Sequence, residues 1–311
     1  MTKKTTKRFA HRIAADWGTS NLRVFALDEA GTVFAEARSD RGMGTLEPSQ
    51  YEGALLALVS GWLDPSRVTP VFVCGMAGAR QGWIEAAYRK VPCTPVGGPF
   101  TKPKVESPLI EVFIVPGLSQ AEPADVMRGE ETQIAGVLAS RPGFEGVLCL
   151  PGTHSKWAVV HGGMVERFMT MMTGELYALL STRSVLRHGL SEDEGLDEDA
   201  FALAVRKTTA APVEGMAGLF RLRAEGLLSG LSPLAARSRL SGLLIGQEMA
   251  ATRGLWQDEK VLVIGSGALA PLYARALTLL GGDAETISGA DMALGGLATA
   301  ASLQEREKET A

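Results

Sequence analysis

The residues best suited to chemistry fall in two short, matching runs. The first is Asp16-Trp17-Gly18-Thr19-Ser20-Asn21, set between apolar runs at 13–15 and 22–27. The second is Pro151-Gly152-Thr153-His154-Ser155-Lys156, set between apolar runs at 147–150 and 157–160. Each copy then reaches a glycine-bearing turn, Glu29-Ala30-Gly31 or His161-Gly162-Gly163. Glycine lets a backbone approach an anion and adopt positive φ. Neighbouring hydroxyls and amide N–H groups add donors. Such tips suit polyphosphate. Asp16, at the end of an apolar strand, suits a hydrated Mg²⁺, which keeps several waters and binds through one or two carboxylates plus phosphate. The second copy lacks this Asp. Its Lys156 either adds charge or points to solvent. One copy alone reads as an ordinary hairpin turn with an Asp cap; the repetition favours a phosphate clamp.

Other runs offer further groups. Asp125-Val126-Met127-Arg128-Gly129-Glu130-Glu131-Thr132-Gln133 places two carboxylates and an arginine at a helix start. The helix dipole favours acids there. A carboxylate in that place could also take a proton from a substrate hydroxyl. Gly75-Met76-Ala77-Gly78-Ala79-Arg80-Gln81-Gly82-Trp83 follows a buried strand. It suits a small anionic or polyol ligand, or a loop that needs glycine for shape. Arg80 and Arg128 could fork onto a substrate carboxylate. Arg23 lies in a strand and is a weaker candidate. Thr173-Gly174-Glu175 reads as a helix start capped by Thr173. Gly265-Ser266-Gly267 follows the apolar run 261–264 and precedes a helix, with Glu285 downstream. In form this matches a dinucleotide fingerprint. It lies too late in the chain for that fold, and an adenosine seat is the preferred reading, with a dehydrogenase as the alternative class.

The elements that must carry these residues repeat as well. Residues 12–38 read as a three-stranded meander, then a helix over 49–64 and apolar strands at 71–74 and 111–115. The stretch 91–108 reads as a surface loop, and 130–140 as a helix. A second meander runs from about 145 to 169, followed by helices at 173–183, 197–207, 214–229 and 233–254. A strand at 260–264, a helix at 268–280, a strand at 284–287 and a helix at 290–302 complete the pattern. The expected domains are a flexible tail 1–11, an N-terminal lobe 12–143, a C-terminal lobe 144–302 and a flexible tail 303–311. The fold class is α/β, two lobes, each a mixed sheet with flanking helices, the twin tips facing each other across an interlobe cleft.

The bulk numbers are ordinary for a soluble globular protein. The chain has 311 residues, 46% hydrophobic and 21% charged, with net charge −4. That balance argues against a broad nucleic-acid surface. No run has the length and apolarity of a membrane span. Three cysteines and four scattered histidines without a Cys-x-x-Cys argue against a disulfide framework or a zinc site. A cytoplasmic location is expected. Oligomeric state is not readable, and a homodimer is left open.

The doubled Gly-Thr hairpins and the late Gly-x-Gly resemble the actin-like ATPase (ribonuclease H-like) superfamily, which includes sugar kinases. Ala15 to Arg23, Met127 to Gln133, Pro151 to Trp157 and Met172-Thr173-Gly174-Glu175-Leu176 together resemble the 2-dehydro-3-deoxygalactonokinase family. The resemblance covers about residues 12–300. It implies ATP and Mg²⁺ as cofactors and phosphorylation of 2-dehydro-3-deoxy-D-galactonate at its 6-hydroxyl, in a route of galactose breakdown; the gluconate epimer is the nearest rival substrate. It puts the sugar acid with the N-terminal lobe and the nucleotide with the C-terminal lobe. Asp16 then holds the metal through water. Gly18, Thr19, Ser20, Asn21, Gly152, Thr153, His154, Ser155 and Lys156 cradle phosphates, and Gly265, Ser266 and Gly267 flank the adenosine. Gly75, Met76, Ala77, Arg80, Trp83, Arg128 and Arg23 face the sugar acid. Related kinases carry Gly-Asp-Gln before the second hairpin with Asp as base. By that analogy Glu130 is the first candidate base and Glu131 the second.

Overall fold

The computed structural model describes residues 8–193, 195–265 and 267–310. They fall into two compact units. One holds the described residues up to Phe144, Gly162–Glu166 and the stretch from Gly289 onward; the other holds Glu145–His161 and Arg167–Ser288.

The first unit opens with the antiparallel meander β1 (Arg12–Trp17), β2 (Leu22–Leu27) and β3 (Val33–Ser39). Then come α1 (Tyr51–Val59), β4 (Thr69–Gly75), β5 (Tyr88–Lys90), β6 (Ile110–Ile114), β7 (Gly117–Gln120), β8 (Asp125–Met127) and α2 (Glu130–Ser140). The main sheet runs β3-β2-β1-β4-β6, with β4 parallel to β1 and to β6. Its central strands read as unbroken apolar runs because both faces are covered. Ile13, Ala15, Val71 and Val73 pack one face with Tyr51, Leu55 and Val59 of α1. Ala14, Phe72, Cys74 and Phe113 pack the other with Leu297 and Ala300 of the C-terminal helix. Strands β5, β7 and β8 form a separate small sheet that the sequence reading missed.

The second unit repeats the order. It contains β9 (Gly146–Leu150), β10 (Ser155–His161), β11 (Met164–Met171), α3 (Thr173–Thr182), α4 (Glu198–Ala210), α5 (Pro212–Leu228), α6 (Pro233–Ala251), α7 (Arg253–Trp256), β12 (Lys260–Gly265), α8 (Leu269–Leu279) and β13 (Asp283–Ser288). The sheet runs β11-β10-β9-β12-β13, with β9 antiparallel to β10, and β12 parallel to β9 and β13. The repeated sentence in the sequence is thus a repeated sheet. Phe201 and Val205 of α4, Ile245 and Met249 of α6, and Tyr273 and Leu277 of α8 cover it around Trp157, Val261 and Val263. Among the described residues, no helix is long and apolar enough to cross a membrane.

One expectation is corrected. The last helix, read as 290–302 within the second lobe, is α9 (Gly289–Thr310) and groups with the first unit. It continues through most of the stretch read as the flexible tail 303–311. Small residues draw it there. A Cβ built on Gly136 of α2 would strike the Met292 carbonyl, and one on Gly296 would strike the Thr132 carbonyl. The two backbones approach too closely for any side chain at those positions. Gly296→Val is therefore expected to destabilise the first unit by roughly 1–3 kcal/mol through overpacking. Gly254→Ala, where a built Cβ meets nothing within 4 Å, serves as the neutral control. An unchanged denaturation midpoint for Gly296→Val would contradict this packing account.

Candidate functional site

The first hairpin tip joins β1 to β2. Asp16 is in register with Arg23 on β2 and with Cys74 on β4. Its hydrogen-bond partner among the described residues is the Cys74 thiol, which donates at 3.7 Å. Burial raises the Asp16 pKa, the thiol and Arg23 oppose that, and the charge of Glu130 adds to it. A carboxylate so weakly partnered within the protein, and close enough to Glu130 to feel its charge, fits a hydrated divalent cation. No group of three or more His, Cys, Asp or Glu gathers among the described residues. Any cation there takes its remaining ligands from water and phosphate. Arg23 itself donates to Glu36 at 2.8 Å and lies over the Phe25 ring.

Gly18 N–H donates to the Asn21 carbonyl at 2.9 Å and closes the tip, leaving Thr19, Ser20 and Asn21 exposed. Neither Gly18 nor Gly152 adopts positive φ, contrary to the expected use of Gly18. A built Cβ at either would meet only an ordinary van der Waals contact, 3.5 Å from the Asn21 carbonyl at Gly18 and 4.0 Å from the His154 carbonyl at Gly152. The strict glycine requirement sits behind the tip. A Cβ on Gly42 would collide with the backbone of Thr19 and Ser20. Met43 and Gly44 N–H groups donate to the Gly18 and Thr19 carbonyls at 3.0 and 2.8 Å.

The second tip joins β9 to β10. Gly152, Thr153 and His154 lie at the turn, and His154 Nε2 sits 2.6 Å from Glu175 Oε2. Lys156 does not point to solvent. It is 4% exposed and its Nζ donates to the His154 carbonyl at 3.1 Å. Ser155 is corrected: its hydroxyl is fully buried and donates to Glu248, so it is not presented at the tip. Strand alternation turns it into the core. Thr173 is likewise no cap. Met172 is the N-cap, and the Thr173 hydroxyl also donates to Glu248. Glu175 N–H donates to the Thr153 carbonyl at 2.9 Å, and a Cβ on Gly174 would strike the Gly152 carbonyl.

Beside this tip lies a cavity of about 670 Å³, lined in part by Gly152, Thr153, Gly174, Tyr177, Leu269 and Tyr273. Gly265 closes β12, and Gly267 has φ +73° in the loop before α8. Ser266 lies outside the described residues. The dinucleotide reading fails on register. Ser288, not Glu285, stands opposite Gly265. Glu285 lies three residues back, about 10 Å at strand rise, with Lys260 3.6 Å away.

In the first unit the α2 start abuts the end of β4. Gly129 has φ +107°, and its built Cβ would lie 3.2 Å from the Gly75 Cα. Gly75, at φ +85°, in turn presses on the Trp17 carbonyl. Glu130 and Glu131 separate cleanly. Glu131 is fully buried, accepting from Gly129 N–H at 2.6 Å and from the Thr132 hydroxyl at 2.9 Å. Burial, then the neighbouring Glu130 charge, push its pKa up to about 8. Glu130 is part-exposed and accepts from Arg128 N–H at 3.1 Å.

Arg128 is 8% exposed, stacked over Tyr88, and donates through Nη2 to the Ala86 carbonyl at 2.7 Å. Its Nε and Nη1 are buried without a hydrogen-bond partner among the described residues. Arg80 differs from expectation: its side chain is 78% exposed and pairs with Glu85. The two arginines share no partner. Gly75 and Ala77 are buried and Trp83 is half-buried. Ala77 is fully buried, and Trp83 stacks on Tyr51 beside Trp17. Met76 is half-buried. Sequence reasoning missed Gly42, Tyr177 and Glu248. A signal for Glu248 existed: it is the single charged residue between Arg239 and Arg253 in a helix otherwise made for burial.

The chain matches the family described as 2-keto-3-deoxy-galactonokinase over residues 16–300. It is 38% identical to a Rhizobium meliloti (strain 1021) protein named "Probable 2-dehydro-3-deoxygalactonokinase DgoK1", over 93% of this chain and 95% of that one. It is 32% identical to the Escherichia coli (strain K12) 2-dehydro-3-deoxygalactonokinase, over 90% and 94%. A solved structure named "Crystal structure of a putative 2-dehydro-3-deoxygalactonokinase protein from Sinorhizobium meliloti" aligns with TM-score 0.85 at 38% identity, covering 93% and 95%. The activator of 2-hydroxyisocaproyl-CoA dehydratase from Clostridium difficile shares the fold, with TM-score 0.52 at 13% identity over 96% and 97%.

The elevated Glu131 pKa carries a sign. A folded-state value near 8 against the ordinary 4.5 means that its contribution is complete below about pH 4.5. It is then lost as pH rises through about 8. Glu131→Gln is expected to flatten that decline, so that the variant gains stability relative to wild type from pH 5 to pH 8. Parallel wild-type and variant curves across that range, measured by urea unfolding, would refute the assignment.

Proposed function

The chain belongs to the 2-keto-3-deoxy-galactonokinase family, and from that premise we propose that it phosphorylates 2-dehydro-3-deoxygalactonate with ATP at the 6-hydroxyl. It is a sugar-acid kinase. The observation that carries the reading is 38% identity to a relative of that name across 93% of the chain. A reducing cytoplasm suits its three free thiols, Cys74, Cys93 and Cys149.

The nucleotide belongs with the second unit. The cavity beside Gly152 and Thr153 has the size of a small-molecule pocket. Its hairpin tip offers amides and the Thr153 hydroxyl to phosphate, and Lys156 adds charge from beneath. Gly265 and Gly267 seat the adenosine against backbone. In the first unit, Gly18, Thr19, Ser20 and Asn21 offer a second set of donors to phosphate. Asp16 holds Mg²⁺ through water, and when bound the ion offsets phosphate charge.

The sugar acid belongs with the first unit. The unsatisfied Nε and Nη1 of Arg128 leave its charge and two N–H donors for the sugar-acid carboxylate. Glu130, part-exposed at the α2 start, takes the proton from the attacking hydroxyl. Glu131, buried and protonated near neutrality, keeps the helix start in place and takes no part in proton transfer.

The deciding experiment is ADP release, by coupled assay, with 2-dehydro-3-deoxygalactonate and with its gluconate epimer. Turnover favouring the epimer would overturn the substrate assignment. Glu130→Gln is expected to lower kcat by roughly 10²–10⁴-fold, the range for a lost general base, with KM values little changed. A kcat within threefold of wild type would remove Glu130 from that role. Arg128→Lys keeps the charge but loses the planar guanidinium and its Nε and Nη1 donors, and should raise KM for the sugar acid by roughly tenfold or more. An unchanged KM would dismiss the carboxylate contact.

A further inference from the structure

Glu248 has no place in the roles above, yet both of its carboxylate oxygens are held by donors from three elements. The carboxylate is fully buried on α6 and has no ion-pair partner among the described residues. Oε1 accepts from the Ser155 hydroxyl and from the Trp157 indole N–H, each at 2.7 Å. Oε2 accepts from the Tyr273 hydroxyl at 2.7 Å and from the Thr173 hydroxyl. A carboxylate offers about four lone-pair sites, and all are filled by neutral donors.

The origin of the donors matters more than their number. Ser155 and Trp157 lie on β10, immediately after the hairpin tip. Thr173 is the first residue of α3, and Tyr273 lies on α8 just past the Gly265–Gly267 loop. These are three walls of one cavity, whose lining includes Gly152, Thr153, Thr173, Gly174, Leu269 and Tyr273. The link to the tip is direct. Pinning Thr173 holds Gly174 against the Gly152 carbonyl and keeps the Glu175 N–H on the Thr153 carbonyl at 2.9 Å.

An apolar residue would fill this volume without the desolvation cost of a buried carboxylate. It would not fix the direction of four donors from three separate elements. We propose that Glu248 is a positioning residue for nucleotide binding: one carboxylate sets the spacing of the second hairpin tip, the α3 start and α8. The inference rests on the reading of the second unit as the nucleotide side.

The test compares Glu248→Gln, Thr173→Val and Thr173→Ser with wild type. It measures equilibrium ADP affinity without sugar acid, KM for ATP, KM for the sugar acid, and Tm. Glu248→Gln keeps the shape but replaces one acceptor oxygen with a donor. It should weaken ADP affinity and raise KM for ATP by about tenfold, the scale of one lost charged hydrogen bond. KM for the sugar acid should stay within about twofold, since the first unit keeps its own contacts. Thr173→Val should weaken ADP affinity several-fold, and Thr173→Ser, which retains the hydroxyl, should restore it. A folded Glu248→Gln protein with lowered Tm but wild-type ADP affinity and KM for ATP would reduce Glu248 to a stability role and overturn the proposal. If Glu248→Gln does not fold, the Thr173 pair decides: wild-type ADP affinity in Thr173→Val overturns it. Wild-type protein that binds no ADP would instead bring down the nucleotide reading itself.

Discussion

An exposed turn of glycine and hydroxyl residues cannot hold itself, because its amides must stay available to whatever it binds. In each unit a second segment presses on the tip from behind, and that backbone-on-backbone approach is the constraint around which the local structure is built. Behind the first tip, Gly42 lies so close to Thr19 and Ser20 that no Cβ fits. Behind the second, Gly174 stands in the same relation to Gly152 and Thr153. At the tip glycines a built Cβ would meet only ordinary contacts, so the strict need for glycine lies in the supports at Gly42 and Gly174.

The two units secure their supports with different chemistry. In the first, main-chain bonds from Met43 and Gly44 suffice, and the Trp17 indole N–H donates to the Arg41 carbonyl at 3.0 Å. Among the described residues, the hydrogen-bond partner of Asp16 is the Cys74 thiol. In the second, the supporting helix start is tied by a hydroxyl to a buried carboxylate, and the same carboxylate takes donors from β10 and α8. The polar cost is concentrated in one residue, where a full set of donors offsets it. The presence of Asp16 in one copy and its absence from the other was visible in the sequence. The second copy has no carboxylate at that position, and the buried acid shared by β10, α3 and α8 stands on α6.

Much of the fold was legible because strand pairing here is local and its pattern repeats. The apolar runs, the Gly-Thr turns and the parallel strands that follow were all readable, and so was each helix over the second sheet. What escaped depends on long-range contact. Ser155 and Glu248 are joined across 93 positions, and α6 reads simply as a core helix until its partner is known. The assignment of α9 escaped for a similar reason. Its small residues, Gly295 and Gly296, have meaning only against Gly136 and Thr132 of α2. The strands β5, β7 and β8 are three or four residues long, too short for alternation to show. Arg80 and Arg128 looked equivalent as residue types, and only burial separates them.

The pair Glu130-Glu131 shows how neighbouring identical residues acquire different uses. The helix start fixes both, since Gly129 turns the chain at φ +107° and each carboxylate accepts a main-chain N–H from the residue two before it. Helical geometry then sends successive side chains about 100° apart. One enters the core beside Cys74 and Thr132, where ionisation is disfavoured by burial and by its neighbour's charge. The other stays where solvent reaches it. Each depends on the other's state: a neutral Glu131 spares Glu130 a second adjacent negative charge. The different burial of this pair is thus a consequence of helix phase, decided one residue at a time by which carboxylate faces water.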